Sequence, residues 1–181
     1  MPRSYPFGYR RSVELGFAMR SLNQNRGLSH VVGPEDGASH WQPEPANGYI
    51  TVKVSPHNLN THALAAGFQV IDPGCHIRPH AHERAEELLF IWQGSGVVII
   101  DGVEHPIEPG SLVYVGKWVV HSVVNRGAEQ MKVLWVITPP GLEDFLTAIG
   151  PERRHGEDRP EGLSRPANIQ QLLDRAYFAR T

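Results

Sequence analysis

Gly74-Cys75-His76-Ile77-Arg78-Pro79-His80-Ala81-His82-Glu83-Arg84-Ala85-Glu86-Glu87-Leu88-Leu89-Phe90-Ile91-Trp92-Gln93-Gly94 decides how the rest of the chain is read. His80 and His82 are separated by one residue, and side chains on an extended strand alternate faces with a period of two. Both imidazoles therefore point to one place. Glu87 follows His82 by five residues, near enough to return to that place after a short bend. Two imidazoles and a carboxylate that converge are ligands for a cation, and His121 is a fourth candidate further along. Counting the alternation back from His80 puts Arg78 and His76 on the same side, where either can line a pocket. Arg78 offers a bidentate fork for a substrate carboxylate or enolate, or a salt bridge at the rim.

Working outward, a chain of 181 residues suits one domain with a real core and short extensions. The formal net charge of -2, with both signs interspersed, gives no footprint for nucleic acid or an anionic membrane. The N-terminal residues Met1 to Arg10 contain no apolar run of the secretory kind, and no stretch of about 18 apolar residues exists to span a bilayer. The expectation is a soluble, cytoplasmic protein acting on a small molecule. Cys75 is the single cysteine, so an intrachain disulfide is excluded. Beside Gly74 at a turn it reads as a small half-buried residue rather than a nucleophile.

Residues 1–47 lack sustained periodicity, and Gly27, Gly33, Pro34, Gly37, Pro43 and Pro45 break any helix or central strand. They read as an arm that drapes over its own barrel or a partner's, anchored by Trp41 and by Tyr5, Phe7 and Tyr9. From Gly48 the chain becomes a series of short β-rich runs: Tyr49 to Val54, Ala63 to Ile71, Glu87 to Gln93, Val97 to Ile100, Ser111 to Val115, His121 to Val124 and Met131 to Ile137. Turn signals separate them, and Asp101-Gly102 is the best hairpin candidate. Leu88 to Trp92 and Val97 to Ile100 are continuously apolar, so both strands are expected to be covered on both faces. Met131, Val133, Trp135 and Ile137 share a face, which makes Trp135 either a wall of the cavity or plain core. His105 lies in an expected turn beside Pro106, and His57, His62 and His155 have no partner at ligand spacing. Leu142 to Ile149 reads as a short helix, and Ile169, Leu172, Leu173 and Ala176 recur at helical spacing. Both helices are expected on an outer face of the barrel.

Written as spacing, the first stretch is Gly74, five residues, His80, one, His82, four, Glu87, six, Gly94. A second runs Gly110, five residues, Gly116, one, Trp118, two, His121, three, Asn125. Together these resemble the two signature motifs of the cupin superfamily, over roughly residues 48–138. The first motif matches at every signature position. The second carries Gly116 and Trp118 where the family usually has proline and glycine, which puts a large ring on the approach to His121. The resemblance implies an all-β fold, the cupin double-stranded β-helix or jelly-roll barrel, as residues 48–138. An N-terminal arm (1–47) and a C-terminal helical extension (139–181) flank it. It also implies one metal ion per chain held by His80, His82, Glu87 and His121. Glu86 is the rival carboxylate, but strand neighbours point to opposite faces and the gap of six residues to Gly94 selects Glu87.

Three imidazoles and a carboxylate suit a divalent transition metal, Fe(II) first, with Mn, Co, Ni, Cu or Zn also compatible, and they leave two octahedral positions open. The leading expectation is a mononuclear Fe(II) dioxygenase of the kind the superfamily contains, acting on an oxygen-chelating diketone, hydroxyketone or aromatic diol. The same ion as a Lewis acid, Zn or Mn, would instead serve an isomerase, epimerase or lyase, with His76 as the added base. A non-catalytic ligand-binding cupin is the third class. No Lys/Arg cluster stands near the ligands in the sequence, which leans away from phosphorylated sugars. The resemblance and the long arm both imply a homodimer.

Overall fold

A computed structural model of the chain describes residues 27–59, 61–176 and 178. The chain divides into two units, 1–31 and 32–181, and the sheets belong to the second. Tyr5, Phe7 and Tyr9, expected as anchors of the arm, lie outside the described residues.

Among the described residues nine strands form two antiparallel sheets: β1 (Ala38–Trp41), β2 (Tyr49–Val54), β3 (Ala65–Ile71), β4 (Glu86–Gln93), β5 (Gly96–Ile100), β6 (Val103–Ile107), β7 (Leu112–Val115), β8 (His121–Asn125) and β9 (Met131–Thr138). The larger sheet has the order β1-β2-β3-β9-β4-β7 and the smaller β6-β5-β8. The buried residues of both sheets form one core, in which Ile50, Leu89 and Val133 from the large sheet join Val98, Ile107 and Val123 from the small one. This is the jelly-roll arrangement of two faced sheets. One α-turn, α1 (Pro56–Leu59), and two short helices, α2 (Leu142–Ala148) and α3 (Ile169–Arg175), complete the described fold.

The Asp101-Gly102 turn joins β5 to β6 with positive φ at both residues, 47° and 82°, the signature of a two-residue hairpin turn whose twist matches its strands. His105 and Pro106, expected in a turn, are instead paired within β6, opposite Val98 and Val97. Proline is tolerated there because β6 is the edge of its sheet and its missing N–H removes no interior ladder bond. The arm also contributes more than an unstructured strap: β1 pairs with β2 from Ala38 opposite Val52 to Trp41 opposite Tyr49. Trp41 is buried, and its N–H donates to the Pro151 carbonyl at 2.9 Å. A four-residue edge strand needs no alternating pattern, so the sequence carried no sign of it.

Burial of the apolar runs divides by sheet. On β5 adjacent Val97 and Val98 are both buried, as expected of a strand covered on both faces. On β4 only the inward set is: Leu89 and Ile91 are buried, whereas Leu88 is 39% and Trp92 62% exposed. Exposed Leu112 and Tyr114 extend that outer apolar face on neighbouring β7, with Leu88 opposite Tyr114. The expectation of two-sided cover for β4 is therefore corrected within this chain.

Gly67 on β3 shows how tightly the inner face is packed. A Cβ there would lie 2.2 Å from the Thr51 carbonyl oxygen and 2.7 Å from Cζ2 of Trp135, so only glycine lets the indole lie across the strand.

Candidate metal centre

His80 and His82 sit on an extended segment that enters β4, Glu87 is the second residue of that strand, and His121 opens β8. The segment pairs with β8 through reciprocal bonds: His80 N–H donates to the His121 carbonyl at 3.0 Å and His121 N–H to that of His80 at 2.8 Å. This bridge brings the two motifs together. One nitrogen or oxygen from each of His80, His82, Glu87 and His121 lies within 4.8 Å of all the others. Glu86, the rival, pairs opposite Thr138 on the other face of β4. The alternation argument selects the carboxylate that the structure places in the cluster.

Trp118 occupies a position with φ 65°, a left-handed conformation that costs a non-glycine residue about 1 kcal/mol. Its N–H donates to the His82 carbonyl at 2.9 Å, which holds the turn, and its side chain is 61% exposed. The ring thus points to solvent and leaves the path to His121 intact, although it replaces the usual glycine.

The donor set fits a cation on its proton arithmetic. His80 Nδ1 lies 2.9 Å from the Arg78 carbonyl and His121 Nδ1 3.1 Å from that of Val119. A carbonyl only accepts, so each Nδ1 carries the proton and each Nε2 is left with a lone pair. His121 Nε2 is 3.1 Å from Glu87 Oε2 and His82 Nε2 3.5 Å from the same atom. Lone pairs facing a carboxylate at these distances repel unless a cation lies among them, either an added proton or a metal ion. His82 Nε2 is moreover buried with no hydrogen-bond partner. A buried polar atom left without a partner is costly, and a divalent transition metal would satisfy all four groups at once.

The same crowding governs protonation. Burial, together with the neighbouring His121 and His82, pushes His80 down to about 3. For Glu87 burial alone would raise the carboxyl, but the close imidazoles of His121 and His82 outweigh it and bring the group down to about 2. Both folded values lie below those of the free groups, 6.5 and 4.5, so the unfolded chain binds more protons across each interval. In the metal-free protein the stability these groups contribute is complete above pH 6.5. It is lost as pH falls, first toward 3 through His80 and then, from 4.5 toward 2, through Glu87. Circular-dichroism melts of metal-free protein are expected to show a midpoint that drops steadily below pH 6.5; a midpoint unchanged between pH 7 and pH 4 would contradict this.

His80, Glu87 and His121 line a cavity of about 170 Å³, and His82 does not. That is the size of a small organic molecule, below the ~300 Å³ at which drug-sized pockets begin. His76 and Arg78 line the same cavity, as the alternation from His80 implies. Trp135 does not line it. The indole is buried on β9 against Gly67 and belongs to the core cluster.

Several wall residues come from places the sequence did not connect with the site. Gln42 and Gln69, linked by a 2.6 Å side-chain bond, contribute polar lining. Leu142, Phe145 and Leu146 of α2 and Leu173 of α3 line the cavity, so the helices close it instead of coating an outer face. Phe178 follows, with its ring centroid 5.4 Å from that of His80, 5.3 Å from His82 and 4.8 Å from Phe145. Arg165 also reaches this wall. The helical period of α2 and α3 shows that each has an apolar stripe, but a stripe does not say which surface it covers.

A profile of the cupin domain matches residues 67–137. Dimethylsulfoniopropionate lyase DddW of Ruegeria pomeroyi is 38% identical over 131 residues, spanning 70% of this chain and 85% of that protein. Protein SchB of Streptomyces halstedii is 26% identical over 116 residues, 64% of this chain and 83% of that protein. Among solved structures, a predicted oxalate decarboxylase from Thermotoga maritima superposes with a TM-score of 0.54 at 23% identity, over 61% of this chain and all of that one. At that identity the likeness is one of fold.

Proposed function

The chain belongs to the cupin family, and from that premise we propose that it is a metal-dependent lyase that eliminates a leaving group from the β-carbon of a small carboxylate. The observation carrying this reading is that one cavity wall presents His76, Arg78 and His80 together, a base, a cationic fork and a metal ligand on alternate residues. The 38% identity to a dimethylsulfoniopropionate lyase supports it and supplies the first substrate to test. The small cavity volume favours a compound of a few carbons over a flavonol or a sugar nucleotide.

His80, His82, Glu87 and His121 would hold the ion. When bound it supplies a Lewis acid that polarises a substrate oxygen and so acidifies the neighbouring C–H. Arg78 orients the carboxylate through paired N–H donors. His76 takes the proton from the carbon next to the carboxylate, since among the described residues neither of its ring nitrogens is hydrogen-bonded. The C–H electron pair forms the new double bond, and the bond to the β-substituent breaks with its pair going to the leaving group. With dimethylsulfoniopropionate the products are acrylate and dimethyl sulfide, and the proton remains on His76. No oxidant or reductant enters. Phe145 and Phe178, packed edge to face beside the ligands, exclude water and offer ring faces to the substrate's cationic sulfonium before it departs as neutral sulfide.

An Fe(II) dioxygenase would use the same cage, and oxygen dependence separates the two chemistries. Protein loaded in turn with Fe(II), Mn(II), Ni(II) and Zn(II) is incubated anaerobically with dimethylsulfoniopropionate, and headspace dimethyl sulfide is measured. Product without oxygen is expected. His76→Ala should lower turnover by about 10²–10⁴-fold with metal content unchanged, the usual range for loss of a general base. Product that forms only with consumption of oxygen would replace the lyase reading with the oxygenase one.

A further inference from the structure

We propose that Arg165 pairs with Arg78 across the cavity mouth to form the carboxylate-recognition site of this protein, so that the substrate's anionic group is held by two guanidiniums while its reacting carbons lie toward the metal cage. The proposal deepens the lyase reading and rests on it for the identity of the substrate, though not for the existence of an anion site.

The two arginines are 87 positions apart in the chain yet line one cavity. They are close enough for their charges to interact: burial and then the Arg78 charge hold the Arg165 guanidinium below its ordinary value. Arginine does not discharge in a protein, so two such groups lining one space repel, and an anion between them would relieve that repulsion. Among the described residues neither forms an ion pair. Glu44 is the other acidic group on the wall besides Glu87, and among the described residues no ion pair joins it to either arginine. Glu87 is committed to His121.

The surrounding structure places both arginines. Arg78 accepts the His80 Nδ1–H on its carbonyl at 2.9 Å, so its backbone is tied to a metal ligand while its side chain lines the cavity. The segment leading to Arg165 is fastened upstream by Arg159, whose Nη2 donates to the Gln42 carbonyl at 3.0 Å and to Asn47 Oδ1 at 2.8 Å. Downstream, Pro166 begins the turn into α3, its carbonyl accepting the Ile169 N–H at 3.0 Å. Arg165 is thus fixed on both sides, and among the described residues it is where the C-terminal extension delivers a charge to the cavity. The sequence shows no Lys/Arg cluster near the ligands, and Arg165 joins Arg78 on the cavity wall only through folding. A carboxylate suits it better than a phosphate, because the remaining wall is mainly apolar and the volume small.

The test is calorimetric titration of zinc-loaded protein with sodium propionate, propionamide and inorganic phosphate, in wild type, Arg165→Ala, Arg165→Lys and Arg78→Ala. Wild type is expected to bind propionate more tightly than propionamide or phosphate. Arg165→Ala should weaken propionate binding by about 10–100-fold, the range for losing a hydrogen-bonded charge, and leave propionamide unchanged. Arg165→Lys keeps the charge without the fork and should fall between, which also guards against a folding defect in the alanine variant. Equal propionate affinity in wild type and both Arg165 variants would overturn the proposal, as would tighter binding of phosphate than of propionate. Because the readout is binding, failure of the lyase reading shows as Arg165-dependent propionate affinity without elimination, and failure of this proposal as elimination with Arg165 dispensable.

Discussion

Glu87→Ala is expected to purify without its equivalent of metal and without activity, while the protein melts cooperatively as a folded barrel. Glu87 would supply the one anionic ligand of the cage, and its Oε2 is the atom toward which both His82 and His121 converge. Changes to residues that merely orient ligands already cost about 10–100-fold in metal affinity, and loss of the carboxylate itself should exceed that. The fold is expected to survive for a separate reason. Removing one member of a buried ion pair is severe when it strands a charge, about 3–5 kcal/mol, but an imidazole that loses its carboxylate simply stays neutral. The hydrophobic cluster around Ile91, Val133 and Ile137 does not depend on the cage. Elemental analysis and a thermal melt decide the matter: a full equivalent of metal in the variant would mean that the ligand assignment is wrong.

Trp135→Ala should have the largest effect on stability, about 3–5 kcal/mol, out of a total that for ordinary domains is about 5–15 kcal/mol. Trp135 is 1% exposed, among the largest fully buried side chains, and Gly67 opposite it lets the indole lie flat across β3. Collapse around so large a void is restricted because β3 and β4 flank β9 on both sides. Trp135→Phe should be much milder, since the indole N–H is buried without a partner and its removal relieves an unsatisfied donor. Urea unfolding measures both changes. The Phe variant also separates the two roles open to this residue from sequence: core predicts an unchanged KM, whereas a cavity wall predicts a changed one.

The barrel strands were legible because each carries its own evidence. Alternation, β-branched content and turn residues are local properties, and the Asp101-Gly102 hairpin formed where both residues could take positive φ. Edges were less legible. β1 and the Pro106 segment of β6 pair on one side only, so neither sequence has to satisfy a full pattern. The outer face of β4 misled for the opposite reason: apolar residues there resemble those of a doubly covered strand, while among the described residues nothing covers Trp92 fully.

By itself the sequence singled out the candidate metal ligands, because His80, His82 and Glu87 lie within eight residues, and the strand period of two with one short bend suffices to aim them at one point. His121 followed from the second motif, and the structure joins it to His80 through a pair of backbone bonds. Only the tertiary structure decided what surrounds them. Arg165, Phe178 and the helical residues Leu142 and Leu173 reach the cavity from a C-terminal extension whose local pattern says that it folds, not where it docks. The physical reason is range: ligand spacing is set by backbone geometry over a few residues, whereas a cavity wall is set by which distant apolar stripe finds the barrel's open end.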